Sequence, residues 1–196
     1  STADTLLFRQ FPIAQGGGSS FGQLAAKCLK EGRIRSAELK ANRQYPFGLL
    51  RVEMQEHILH KTQEMLDERL IRGTFENGTE YTVLSTILGM RKEILRLIQG
   101  FDFTKKNPKI VVVSTKEEMP AKLEDAILLA FLNRIGFDIA MFVPTGYQTI
   151  EPYLKDCLPI EHQIGAFIYD QEIPDFAALP EHRGLQRLNQ FLRRGN

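Results

Sequence analysis

The sequence predicts an α/β fold, a parallel sheet preceded by a helical module, and three observations carry that reading. Ile110 to Val113 and Asp138 to Val143 are short, unbroken apolar runs of the kind that form strands covered on both faces. Between them Leu123 to Ile135 is apolar nearly all round, with Pro120 suited to a first helical turn, Arg134 in the last turn and Gly136 as a stop. Strand, helix and strand in that order make a right-handed βαβ unit over 108–153, which is Rossmann-like. Ahead of it, Tyr81 to Gln99 spaces Leu84, Leu88, Met90, Leu95 and Ile98 as two short helices crossing at a tight turn, in the manner of helix-turn-helix units. The expected organisation is therefore an N-terminal segment over 1–44, a helical module over 45–104 and a Rossmann-like α/β half over 105–196.

Thr5 to Phe11 has the composition of a short strand, and the glycines and serines of 16–20 then open onto a helix over Phe21–Gly32. That loop lacks the GK[ST] ending of a phosphate loop, so it reads either as a flexible connection with Ser20 as a helix cap or as a weak phosphate cradle. Over 27–51 seven Lys and Arg face two Glu, a local excess of 7 − 2 = +5, read either as a solvated face or as an anion contact. Val52 to Ile71 is a long amphipathic helix with Ile58, Leu59, Met65 and Leu66 in its stripe. Residues 73–82 read as a hairpin at Asn77-Gly78 or as a helix cap at Thr79. Gly100 to Lys109 is a polar connector, closed to further helix by Asn107-Pro108. After the second strand, a helix is expected from Glu151-Pro152, Ile164 to Tyr169 reads as a third strand or a short helix, and Gly184 to Arg194 forms a last amphipathic helix docked on the sheet.

Composition narrows the function classes. With 43% hydrophobic and 25% charged residues, 196 residues suffice for a full core. A formal charge of +1 excludes a chain dominated by nucleic-acid or membrane electrostatics. The longest apolar runs fall far below the roughly 20 residues needed to span a bilayer, so no membrane partner is expected and the protein is read as cytoplasmic. Cys28 and Cys157 have no companions at metal-ligand spacing and are expected as free thiols. His57 and His60 sit one helical turn apart, but no third ligand accompanies them and no metal is expected. The chain begins at Ser1, as a processed chain or a piece of something longer would.

Parallel sheets bind ligands beyond the carboxyl ends of their strands. Those ends place Ser114, Thr115 and Lys116 after the first strand and Thr145, Gly146, Tyr147, Gln148 and Thr149 after the second, as the expected site for an anionic small ligand. His162, whose imidazole titrates close to neutral pH, is the candidate general acid or base. If the helix pair met DNA instead, Arg91, Lys92 and Arg96 would face the groove, although the acidic neighbouring helix makes nucleic acid an unfavoured partner. No cofactor can be read from any motif.

The phrases GTFENGTEYTVLSTILGMRKEILRLIQGFDFTKKNPKIVVVST, LEDAILLAFLNRIGFDIAMFVPTGYQTIEPYL and EHQIGAFIYD resemble the C-terminal part of the YceG-like family over Gly73 to Asp170. The resemblance implies a component of a bacterial biosynthetic module encoded beside tellurite and stress-resistance genes, working with partner enzymes, and it brings no catalytic residues. Taken with the βαβ unit, it leads to the expectation of a domain that binds a nucleotide, nucleotide-sugar or phosphorylated metabolite, as part of a glycosyltransferase-like or other group-transfer enzyme. The alternative is a non-catalytic scaffold that contacts partners through its helix-turn-helix-like part.

Overall fold

The computed structural model describes residues 4–15, 19–100, 102, 106–115, 120–155, 159–169 and 171. In chain order its elements are β1 (Thr5–Phe8), α1 (Ser19–Cys28), β2 (Leu29–Lys30), β3 (Arg33–Ile34), α2 (Ser36–Lys40), α3 (Val52–Asp67), α4 (Thr79–Leu88), α5 (Lys92–Gly100), β4 (Lys109–Val113), α6 (Leu123–Arg134) and β5 (Asp138–Phe142), followed by one 3-10 turn (Glu151–Tyr153). The expected βαβ unit is present: β4 and β5 pair in parallel with Ile110 opposite Ile139 and Val113 opposite Phe142. The early strand is present too, and β1 adds to the other side of β4, also parallel, with Leu6 opposite Ile110. The sheet therefore runs β1-β4-β5, an α/β arrangement with helices between its strands.

Both connections in this sheet advance in the same direction, from β1 to β4 and from β4 to β5. Right-handed crossovers that advance the same way lie on the same face. Burial follows that rule. Ile110 and Val112 are fully buried, and Leu6, Phe8, Ile139 and Met141 pack against the same core. The alternate residues point away from it: Leu7 is 45% exposed, Phe142 47%, and Ala140 is exposed beside a half-buried Val111 and Val113. The expectation of strands covered on both faces is thus corrected among the described residues, because periodicity cannot show which way a sheet is wound.

On the covered side the helices share one core. α4 packs against α1, α3 and α6, with Val83, Leu84, Ile87 and Leu88 at most 1% exposed. α6 is buried nearly all round, as its sequence predicts, through Ala126, Ile127, Leu128, Leu129, Phe131 and Leu132. Its third residue, Asp125, is fully buried and accepts backbone N–H groups from Ile13 at 2.7 Å, Ala14 at 2.8 Å and Lys122 at 2.9 Å. One carboxylate thereby caps the helix and ties the segment after β1 to it. Pro120 precedes the first turn instead of occupying it.

Several local expectations change for reasons that lie in tertiary contacts. The helix expected to reach Gly32 stops at Cys28, and the chain turns through a hairpin with Glu31 at φ 50° and Gly32 at φ 74°. Gln63 on α3 holds that hairpin, accepting from Ile34 N–H and donating to the Gly32 carbonyl, both at 2.9 Å. α3 ends at Asp67, four residues early. There Arg69 takes a left-handed φ of 50°, and its N–H and that of Leu70 bond back to Leu66 and Met65 in a Schellman arrangement. At 73–82 a helix start replaces the hairpin, but the N-cap is Gly78, at φ 86°, and Thr79 is the first helical residue, its hydroxyl bonded to the Asn77 side chain at 2.6 Å. The helix expected from Glu151 is only the 3-10 turn, because Leu154 leaves it to bridge Ile71, with Arg72 and Lys155 bonded across the same seam. Ile164 to Tyr169 is neither strand nor helix. The helix expected over 184–194 lies outside the described residues.

Tyr45 supplies a pH test of this packing. Its ring meets Phe47 edge-on at 5.5 Å, and its hydroxyl is buried without a hydrogen-bond partner among the described residues. Burial, helped by the charge of Glu56, pushes its ionisation up to about 12. An unfolded chain releases that proton near 10, so folding stability falls as pH rises from there toward the folded value. Tyr45→Phe is expected to remove that part of the alkaline loss while leaving stability at pH 7 unchanged or slightly raised, as urea titrations at the two pH values would show.

Candidate functional site

The turns leaving β4 and β5 share one end of the sheet, and Ser114 N–H reaches the Phe142 carbonyl at 2.9 Å. The chain itself fills the rim they form. Ser114, Thr115, Thr145 and Thr149 are each no more than 8% exposed. The Thr149 backbone N–H and hydroxyl, which an anion would have used, both bond to the carboxylate of Glu151. Over Gly146, at φ 72°, lies the ring of Phe167, 2.3 Å from where a Cβ would stand. Ile168 N–H then bonds to the Pro144 carbonyl at 2.9 Å, and Tyr169 meets Tyr147 edge-on at 6.3 Å. Gln148 is exposed, Lys116 lies outside the described residues, and His162 is exposed with no described hydrogen bond or ion pair joining it to the rim. Gly146→Ala would be strained by its φ and by the Phe167 ring together, and is expected to cost about 1–2 kcal/mol, read as a lowered thermal midpoint.

The other residues singled out by sequence are largely engaged within the fold. The bases of 27–51 meet acids of α3: Arg33 pairs with Asp67 at 2.9 Å and Lys40 with Glu56. Arg51 donates to the Gln99 carbonyl at 3.0 Å. The solvated, internally balanced reading of that stretch is the one these contacts support. Arg91 spans back to β1, with its guanidinium 5.8 Å from the Phe8 ring centre and donating to the Pro12 carbonyl at 3.3 Å, while Lys92 and Arg96 remain exposed on α5. His60 pairs with Glu64 at 3.0 Å, and burial pushes His57 down from its ordinary value. Among the described residues no group of three or more His, Cys, Asp or Glu could hold a metal. Cys28 is a buried free thiol, pushed up by burial, and Cys157 lies outside the described residues. Among the described residues no helix is long and apolar enough to cross a membrane.

Two features had no counterpart in the sequence reading. The first is a pair of surface concavities, of about 490 and 460 Å³, on either side of Arg69, whose guanidinium lies 5.7 Å from the Phe75 ring centre. The three described non-glycine residues at positive φ, Glu31, Arg69 and Phe75, all line the first of them. The second is the outer face of the sheet. Leu7, Val111 and Ala140 form one row across the three strands, and Val113 and Phe142 form the next. At the other end of the strands the row is polar, with Thr5, Lys109 and Asp138 side by side. Hydrogen bonds from Lys109 and Asn107 hold the Asp138 carboxyl below the usual carboxylate range. The apolar path continues from Phe142 through Tyr147, Phe167, Ile168 and Tyr169, each at least 46% exposed. This face is the candidate functional surface.

The family profile described as the YceG domain matches residues 5–180. The chain belongs to the YceG family. A relative from Bacillus subtilis (strain 168), described as "Uncharacterized protein YceG", is 24% identical over 173 residues, covering 86% of this chain and 32% of the relative. The chain thus spans about a third of the length of that curated YceG protein. No solved structure matches. The likeness also begins at residue 5, well ahead of Gly73, so the N-terminal strand and the helices after it belong to the YceG domain as fully as the βαβ unit does.

This match corrects the functional expectation. The chain matches a YceG domain and not a nucleotide-binding domain, and nothing in that match supports a Rossmann-like ligand-binding role in a tellurite- or stress-linked biosynthetic pathway. The geometry gives the physical reason. Doubly wound sheets bind their ligands where the strand order reverses. The order β1-β4-β5 has no reversal, and the rim beyond β4 and β5 is occupied by Glu151 and Phe167. Of the helix-turn-helix-like pair, α4 is buried among its neighbours, while Lys92, Glu93 and Arg96 on α5 are exposed.

Proposed function

We propose that this YceG domain is a docking domain that receives an amphipathic helix on the outer face of its sheet. The observation that carries this reading is the one-sided parallel sheet: strands of such sheets are almost always covered on both faces, while Leu7, Ala140 and Phe142 remain open here. A helix with one apolar face suits the surface, because Leu7, Ala140 and Phe142 would cover its apolar side while its other side stays in water. The match to the Bacillus YceG protein supports it further. Two thirds of that polypeptide lies outside the matched region, so a YceG domain has other polypeptide to pack against.

A fluorescent peptide with leucines along one face of a helix tests the reading by anisotropy. The intact chain is expected to bind it, and Ala140→Glu, which sets a charge in the middle of the apolar row, is expected to abolish binding without changing the circular dichroism spectrum. Binding that survives Ala140→Glu, or no binding up to millimolar peptide, would reject the docking domain.

A further inference from the structure

We infer that the two concavities flanking Arg69 form one peptide-binding cleft, which takes an extended acidic segment of a partner polypeptide. Its carboxylates would sit in one lobe and a neighbouring apolar side chain in the other. The cleft lies after α3, away from the open sheet face, and does not rest on the docking reading. The lobe of about 460 Å³ is lined by Arg69, Arg72 and Lys155 against one acid, Glu76, a local excess of 3 − 1 = +2. All three cations are exposed, and none forms an ion pair among the described residues. Like charges gathered without counterions favour an anion. They are also mounted on a fixed main chain. At the seam where Ile71 bridges Leu154, Arg72 N–H bonds to the Tyr153 carbonyl at 2.9 Å and Lys155 N–H to the Leu70 carbonyl at 2.8 Å. Arg72 further donates its Nε–H to the Leu154 carbonyl at 2.6 Å, which orients the guanidinium and leaves its two terminal nitrogens for a carboxylate. Such preorganisation lowers the ordering cost of binding.

The same hydrogen bonds say which anion fits. A single phosphate is usually cradled by free backbone amides, but the N–H groups of Arg72, Thr74, Glu76, Asn77 and Lys155 are all bonded within the fold. Side-chain donors spread along an open cleft suit carboxylates spaced along a polypeptide, as in the recognition of acidic motifs by arginine clusters. The lobe of about 490 Å³ supplies the apolar contact. Its charges balance, Glu31 and Asp67 against Arg33 and Arg69, and its apolar element is the Phe75 ring. That ring is held from two directions: a Cβ on Gly32 would stand 3.3 Å from it, and the Arg69 guanidinium lies 5.7 Å from its centre. Phe75 takes the third position of a turn closed by Glu76 N–H on the Gly73 carbonyl, at φ 65°, where Gly or Asn is the usual residue. It is still 36% exposed, so core burial does not account for the strain. Strained backbone of this kind gathers at binding sites, and here it displays an aromatic ring beside the cations.

A fluorescein-labelled peptide of alternating glutamates around one phenylalanine, titrated with the intact chain and read by anisotropy, tests the cleft. It is expected to bind, and to bind more weakly as salt rises. Arg72→Gln and Lys155→Gln are each expected to weaken it about tenfold. Lys155→Gln removes no bond within the fold, so its result stands even if Arg72→Gln loosens the seam. Phe75→Asn, which suits the left-handed φ while deleting the ring, is expected to keep the circular dichroism spectrum and lose peptide affinity. Ala140→Glu, on the sheet face, is expected to leave this binding unchanged. Equal binding by the parent and Lys155→Gln, equal binding of a peptide with glutamine in place of glutamate, or no binding up to millimolar peptide would reject the cleft. Loss of binding in Ala140→Glu would place the peptide on the sheet and reject it as well. Displacement by inorganic phosphate at or below the peptide's own dissociation constant would show a small-anion site and overturn the proposal.

Discussion

Asp125→Ala is expected to lower the unfolding free energy by about 3–5 kcal/mol. Its carboxylate is fully buried and accepts three backbone N–H groups, two of them from Ile13 and Ala14, more than a hundred residues earlier in the chain. Removing it leaves those donors buried without an acceptor and uncaps α6 in the same step. For a chain of this length each kcal/mol shifts the thermal midpoint by about 2–4 °C, so a fall of about 10 °C is expected in a melting scan. Asp125→Asn keeps one acceptor for the Ile13 and Ala14 amides but turns an NH2 toward Lys122 N–H, and roughly half the loss is expected. A fall of under about 2 °C for Asp125→Ala would show that the segment after β1 is not held through this residue.

Leu84→Ala is expected to cost about 3 kcal/mol, within the range seen for buried leucines whose cavities collapse only in part. Leu84 is fully buried on α4, which touches α1, α3 and α6 at once, so no single neighbour can move in without leaving another. Urea titration would read this as a lower midpoint at unchanged slope. The same substitution at Leu49, which is 98% exposed, is expected to change nothing measurable.

The βαβ unit was legible because its signals are local. The apolar runs at 110–113 and 138–142 and the all-round apolar helix between them are each decided within a dozen residues. The fold-level consequence was not legible. Which face of the sheet stays open depends on the direction in which β1 joins β4, a pairing of residues about a hundred positions apart that no window of periodicity contains. The expected rim was placed at the right end of the strands, yet its occupants, Glu151 and Phe167, come from segments that sequence alone assigned to a helix and to a strand or helix. Asp125 stands three residues after the N-cap, where an acid is a recognisable cap signal, but nothing in the sequence names Ile13 and Ala14 as its partners. The hairpin at 29–34 was hidden by the helical spacing of the residues before it, and Gln63 on α3 decides it.

The pairing of β1 with β4 also bears on how the polypeptide is made. Thr5 to Phe8 leave the ribosome about a hundred residues ahead of their partners, Lys109 to Val112. Until then this domain can assemble α1 to α5, whose contacts are nearer in sequence and close faster. The newborn helices can thus condense early, while the opening strand waits as an unpaired edge exposed to chance association. Chaperone demand during translation should therefore peak before residue 109 emerges and fall once the middle strand is in place.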